Sequence, residues 1–235
     1  MKVAILQSNY IPWKGYFDLI RSVDIFVFYD QVKYTKNDWR NRNKICSPNG
    51  LQWLSIPIEA NSVKKMINEV SIVEDQWQRL HLKSLSQAYS RAPFFSVLEP
   101  ILSDIYLKQK WENLSNLNQT TLKKISNHIG LTTKIIDSQE LEIGGDRIGR
   151  LLGILKKLGA TEYLTGPSAR AYLHEHETLF SEAGIRLFYK DYNGYPEYNH
   201  HCKPHCHEVS ILDLLAWVNP AEYTKYITPQ LPQTS

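Results

Sequence analysis

Residues 3–20 read VAILQSNYIPWKGYFDLI and residues 22–30 read SVDIFVFYD. An apolar run, Val3–Leu6, is followed by a polar, proline-containing turn over Gln7–Gly15. The spacing then predicts a helix from about Tyr16 to Arg21, and a second apolar run, Ile25–Tyr29, that ends at Asp30. Strand, loop, helix, strand is the opening of a parallel sheet. In such a sheet ligands sit beyond the carboxyl ends of the strands. Gln7, Ser8, Asn9, Tyr10 and Trp13 stand at one such end and Asp30 at the next. A plain connector with Pro12 and Gly15 as punctuation fits this pattern as well as a binding loop does. The side chains suit a sugar or a base, since they hydrogen-bond and stack.

Downstream, residues 39–44 read WRNRNK, and Ser47-Pro48-Asn49-Gly50 carries the Asn-Gly hairpin signal. Antiparallel strands are expected over Trp39–Cys46 and Leu51–Ile58. Alternation then sets Trp39, Asn41 and Asn43 on one face and Arg40, Arg42 and Lys44 on the other. The cationic face is either a solvated edge that discourages strand pairing or a contact for phosphate or carboxylate, to which the planar guanidinium is matched.

Residues 61–130 are expected to be helical, with Trp77, Leu80, His81, Leu85 and Ala88 at helical spacing, Pro100 bending or interrupting a second helix, and Gly130 closing a third. From Thr133 to Tyr189 strands and helices alternate, with Ser168 as the expected cap of a helix running to about Ala183. These elements predict an α/β fold: a doubly wound, mainly parallel, Rossmann-like sheet with a β-hairpin and a helical insertion. One domain over 1–219 is expected, followed by a loose tail over 220–235. Ser210 and Asp213 are expected to form a capping box for a last helix.

The 235 residues carry 27 basic and 24 acidic groups, a net charge of +3, too balanced to argue for nucleic acid. Three cysteines do not suggest a disulfide framework. No signal peptide and no apolar run of membrane-spanning length is visible. The expectation is a soluble cytoplasmic protein with reduced thiols and no membrane span.

Several constellations carry potential chemistry. His81 and Tyr89 lie little more than two turns apart on one predicted helix, which fits either a general base facing a cleft or a buried histidine. His200, His201, Cys202, His205, Cys206 and His207 crowd one short stretch. Structural zinc usually joins ligand pairs distant in sequence, so no metal is assigned. His174, Glu175, His176 and Glu177 read as a solvent face. Neither a Walker-type loop nor a dinucleotide fingerprint occurs. The first loop is laid out like that of nucleotidyltransferases and class I synthetases but lacks their paired histidines, with Trp13 and Tyr16 in the equivalent positions.

The order LQSNYIPWKGYF (6–17), DIFVFYD (24–30), WRNRNKI (39–45) with SPNG and LSIPIE, then Trp77, His81 and Tyr89, then LGATEYLTGPSARAYL (158–173) and SILDLL (210–215), resembles the WbqC-like family. The resemblance runs from Lys2 to about Trp217. It implies a place in O-antigen or other surface-polysaccharide biosynthesis, and transfer of an acyl or aminoacyl group, glycyl among them, to the amine of a nucleotide-linked amino sugar. An acyl or aminoacyl carrier protein is the partner this implies. No cofactor is assigned; ATP or a thioester or aminoacyl carrier stands open as donor. On that reading His81 is the base, with Gln7 and Asp30 also in the catalytic set. Asn9, Tyr10, Trp13, Arg40, Asn41, Arg42 and Tyr89 bind substrate. The alternatives are an ATP-dependent adenylating ligase and a non-catalytic sugar-nucleotide-binding module. The family's first loop usually reads His-Gln-Pro-Asn-Tyr where this chain has Leu6-Gln7-Ser8-Asn9-Tyr10, and Tyr198-Asn199 replaces a Tyr-x-Gln segment.

Overall fold

The computed structural model describes residues 1–74 and 76–230. Strands β1 (Lys2–Leu6), β2 (Ile25–Phe28), β5 (Lys134–Asp137), β6 (Glu162–Thr165) and β7 (Arg186–Tyr189) form one sheet in the order β5-β2-β1-β6-β7. Every pairing in it is parallel, with Val3 opposite Ile25 on one side of β1 and opposite Tyr163 on the other. The order runs outward from β1 to β2 and β5, then restarts on the far side at β6. The chain therefore reverses direction across the sheet between β1 and β6.

Alternation along the strands explains how both faces are covered. Ala4, Phe26 and Phe28 face a core shared with α1 (Lys14–Arg21), α3 (Phe95–Tyr106), α4 (Leu114–His128) and α8 (Ile211–Trp217). Val3, Ile5, Ile25 and Val27 face the opposite core, which α5 (Arg147–Lys157) closes with Leu151, Ile154 and Leu155. Phe180 of α7 (Glu177–Glu182) stacks there on Tyr163 at 5.9 Å. Aromatics thus serve one face of β2 and aliphatics the other.

The hairpin is β3 (Arg42–Ser47) with β4 (Gly50–Ser55), and Ser47 pairs with Gly50 so that Pro48-Asn49 makes the turn. It begins later than alternation from Trp39 implies, because residues 36–41 are turns and bends. The expected division of its faces fails in consequence. Arg42 and Lys44 lie over the Trp53 ring, at 4.5 and 6.0 Å, and Trp53 stacks on Trp39 at 5.5 Å. Arg40 turns away from both.

The helical block holds α2 (Gln76–Tyr89), α3 and α4, with Pro100 on the exposed side of an unbroken α3. The helix expected from Ser168 to Ala183 is segmented. A 3₁₀ turn at Pro167–Ala169 leads into α6 (Arg170–Leu173), a second 3₁₀ turn at His174–His176 and then α7. The cap is Gly166 with Pro167 in the first turn, not Ser168. His174–His176 contains no buried residue to hold α geometry against the sheet, and those side chains do lie at the surface.

Three further expectations change. Cys46 and Cys202 form a disulfide, with Cα atoms 5.8 Å apart across a separation of 156 residues, so these thiols are not free. The 191–209 segment folds back over the hairpin, where the Ser210 N–H donates to the Lys44 carbonyl at 2.8 Å. That bond takes the donor that a capping box would have used. Ser210 still caps α8 by accepting from the Leu212 N–H, while the Asp213 carboxylate points into the interior. Finally, of the tail expected to be loose over 220–235, residues 220–230 are docked: α9 (Tyr223–Tyr226) buries Tyr223, Ile227 is buried, and the Gln230 N–H donates to the Gly194 carbonyl at 2.8 Å, while 231–235 lie outside the described residues. Among the described residues no helix is long and apolar enough to cross a membrane.

Candidate functional site

The carboxyl ends of β1 and β6 diverge at the point where strand order reverses, which is where open α/β sheets hold their ligands. A cavity of about 560 Å³ lies there. Its wall includes Gln7 beyond β1, Tyr29 beyond β2, Thr165 and Gly166 at the end of β6, and Arg147 and Arg150 of α5. A second cavity of about 420 Å³ lies beside it, lined by Asn9, Trp13, Trp39, Asn43 and Glu208. Ser168 belongs to both walls. Pockets of this size accept ligands of drug-like bulk.

Arg40 stands between the two cavities. Its guanidinium donates to Asn9 Oδ1, and to Gln7 Oε1 at 3.2 Å. Gln7 lines the first cavity and Asn9 the second. Asp38 approaches the same guanidinium at 3.4 Å. Burial would raise the Asp38 carboxyl, but Arg40, the Thr35 hydroxyl and the Trp39 N–H outweigh it and hold it below its ordinary value. Arg40 is thereby fixed in place, with Asp38 as the one carboxylate paired with it among the described residues.

The first cavity is cationic. Lys33, Arg40, Arg147 and Arg150 line it against Asp38 alone among acidic side chains. Arg147 opens α5 and lies 3.3 Å from the centre of the Tyr172 ring. Arg150, in the first turn, donates to the Gln31 carbonyl at 2.9 Å and sits near the Tyr29 ring. Two arginines in the first turn oppose the helix dipole, whose positive end favours anions. Placed beside that positive end, the two guanidinium groups make an anion-binding corner. Arg40 Nε, Arg150 Nε and Tyr29 OH are buried and have no hydrogen-bond partner among the described residues.

The second cavity is aromatic and amide-rich. Trp13 packs edge-on to Tyr192 and Tyr195, at 5.1 and 5.8 Å, and its indole lies against Gly15, where an added Cβ would come within 2.3 Å of it. Asn43 supports the loop from beneath, donating to the Tyr10 and Ile11 carbonyls at 3.1 and 2.9 Å. Ile11 is held at φ +36°, a conformation a β-branched residue rarely adopts. Such strain persists only where surroundings enforce it, as binding loops often do.

The residues singled out in the sequence divide sharply. Gln7, Asn9, Trp13 and Arg40 meet at the two cavities. Asp30 sits directly behind them: its carboxylate accepts from the Ser8 N–H at 2.8 Å, from the Ser115 hydroxyl, and from Gln119 Nε2 at 3.1 Å. It fixes the loop and is saturated. Tyr10 and His81 do meet, at 2.8 Å, but inside the core, where the Tyr10 hydroxyl also contacts that of Tyr106 at 2.5 Å. Burial drives the His81 imidazole down to about 4, so it stays neutral beside Trp77. Tyr89 is fully buried beneath the Cys46 N–H. Asn41 bonds Tyr34 and the Ile56 carbonyl, and Arg42 donates to the Asn37 carbonyl at 2.7 Å. His81, Tyr89, Asn41 and Arg42 line neither cavity.

Arg147, Arg150, Tyr172, Ser168 and Glu208 escaped the sequence reading. The signal available was electrostatic: Asp146 caps α5 by accepting from the Gly149 N–H at 2.7 Å, yet cations fill the turn that follows.

A parallel five-stranded α/β sheet with a cationic cleft at its switch point is the class this geometry defines. Residues 7–225 match the model of the WbqC-like protein family, and the chain belongs to that family. It is similar to a protein of Mycobacterium tuberculosis (strain ATCC 25618 / H37Rv) described as "Uncharacterized protein Rv1507c", with 42% identity over 215 residues, 91% of this chain and 92% of the other. No solved structure matches the chain.

Proposed function

We propose that the paired cavities bind a nucleotide-linked amino sugar and that the protein transfers an acyl or aminoacyl group, glycyl among them, to its amine during surface-polysaccharide biosynthesis. The observation that carries this reading is the Arg40 bridge. It joins a corner suited to a diphosphate with an aromatic, amide-lined chamber suited to a sugar ring. Arg147, Arg150 and Arg40 hold phosphate oxygens by charge-assisted hydrogen bonds. Trp13 and Trp39 offer ring faces to the sugar.

The reaction forms a C–N bond between the sugar amine and the donor carbonyl and breaks the C–S or C–O bond to the carrier. The amine proton must leave as the bond forms. Glu208 is the ionisable group of the second cavity and receives it; the proton then passes to the departing thiol or hydroxyl. Asn9 has committed its oxygen to Arg40, which leaves its amide nitrogen to donate to the developing oxyanion. His81, sealed in the core, is given no proton-transfer role.

The test is incubation of the purified protein with a panel of nucleotide-linked amino sugars and thioester, aminoacyl-carrier or ATP-plus-amino-acid donors, read by mass. A gain of one acyl or aminoacyl unit on the sugar is expected. Release of AMP with product would replace this reading with an adenylating ligase. Saturable sugar-nucleotide binding with no product from any donor would leave a binding module.

A further inference from the structure

Outside the cleft, the densest gathering of ligating side chains is the segment that folds back over the hairpin. Independently of the transfer reading, we infer that His200, His205 and His207 form a binding site for a divalent transition metal of the zinc type, with Asp213 orienting the first of them.

The three imidazoles touch in series. The His200 and His205 rings are 4.2 Å apart between centroids, and those of His205 and His207 4.5 Å. His200 is buried and gives its Nδ1 to Asp213 Oδ2 at 2.8 Å. That leaves Nε2, which is also buried and has no partner. Both ring nitrogens of His205 and Nδ1 of His207 are buried without a well-formed hydrogen bond. Leaving one such group unsatisfied costs about 1–3 kcal/mol, so several in mutual contact are an improbable resting arrangement for a core. One cation accepting a lone pair from each ring satisfies three of these four nitrogens and leaves one, the second His205 nitrogen.

The surroundings agree. A carboxylate behind a ligating histidine is the usual outer-shell partner, fixing the tautomer and aiming the other nitrogen at the metal. Asp213 is itself held by the Tyr198 hydroxyl at 2.9 Å. Lys14 of α1 lies beside the segment, its amine 5.3 Å from the Tyr198 ring. His205 and His207 are half-buried, so an ion can enter from solvent.

Ligands this close in sequence would be a weak structural clamp. Here the loop is already closed by the Cys46–Cys202 disulfide and by α8, so the metal need not close it. Three imidazoles and an open position is instead the layout of reactive zinc sites. A Cys46 thiolate lies in range, since its sulfur and the ligand atoms of His200 and Asp213 fall within 4.8 Å of one another, but the disulfide withdraws it.

The test uses untagged protein, stripped with chelator and refilled with zinc. About one zinc ion per chain should survive gel filtration, and X-ray absorption should show nitrogen or oxygen neighbours at about 2.0–2.1 Å. His205→Gln and His207→Gln should each weaken zinc binding at least about tenfold, while His201→Gln, whose ring rests on Trp217, should not. Thermal unfolding of each stripped variant checks the fold. Should a variant not fold, absorption spectroscopy on the parent protein decides. Loss of zinc during filtration, equal weakening by His201→Gln, or a sulfur neighbour at about 2.3 Å would overturn the assignment.

Discussion

Arg40 does at the residue scale what no neighbour can replace, because a planar fork is needed to hold the Gln7 and Asn9 carbonyls at once. Arg40→Lys keeps the charge and loses the bridge. It should weaken sugar-nucleotide binding by about 10–100-fold, the worth of one to two charge-assisted bonds, with unchanged melting; titration calorimetry reads this directly. Gly15→Ala is the complementary case. Its methyl group meets the Trp13 indole at 2.3 Å, so the ring must shift from the chamber wall. Indole fluorescence and sugar affinity should both change while the sheet remains intact. The loop residues were legible because Gln, Asn and Trp are unusual in a mere connector. Arg147 and Arg150 were not, since a basic residue in a predicted helix reads as surface until the turn it occupies is known to face a strand end.

At the scale of single elements, α2 carries a proton-linked contribution. His81 titrates near 6.5 in an unfolded chain and at about 4 when folded, because burial disfavours its cation. The unfolded state therefore binds more protons between these values. The stability this group contributes is complete above about 6.5, declines as pH falls towards 4, and is level below it. Denaturant midpoints taken between pH 7 and 4.5 should fall for the parent protein, and less steeply for His81→Gln. The periodicity of α2 placed His81 and Tyr89 on one face correctly. Which environment that face met, core or cleft, depends on Tyr10 arriving from the loop after β1 and Tyr106 from α3, and no local pattern encodes that. The hairpin shows the same limit. Its turn was readable from Pro48-Asn49-Gly50, but the facing of Arg40 depended on where pairing began, and the turns at residues 36–41 moved that start.

For the molecule as a whole, the alternation of apolar runs with helices carried the sheet, since parallel strands buried on both sides leave little else for such a sequence to do. The Cys46–Cys202 link was beyond reach, as an odd cysteine count hides a single pair. It ties β3 to a segment 156 residues away, and a closed loop of that size should be worth about 2–5 kcal/mol. Urea unfolding of the Cys46→Ser, Cys202→Ser double variant against the parent protein measures it. Gln119 ties the same fold at another level. Its one amide nitrogen reaches Asp30 at 3.1 Å and Asp137 at 2.7 Å, so α4 is riveted to the ends of two adjacent strands. The helical cap cannot swing open like a jaw without tearing both contacts. Traffic of ligand must pass the opposite rim, where the path from Pro167 to Glu182 is cut into short turns, and amide exchange that slows on ligand binding should be concentrated there.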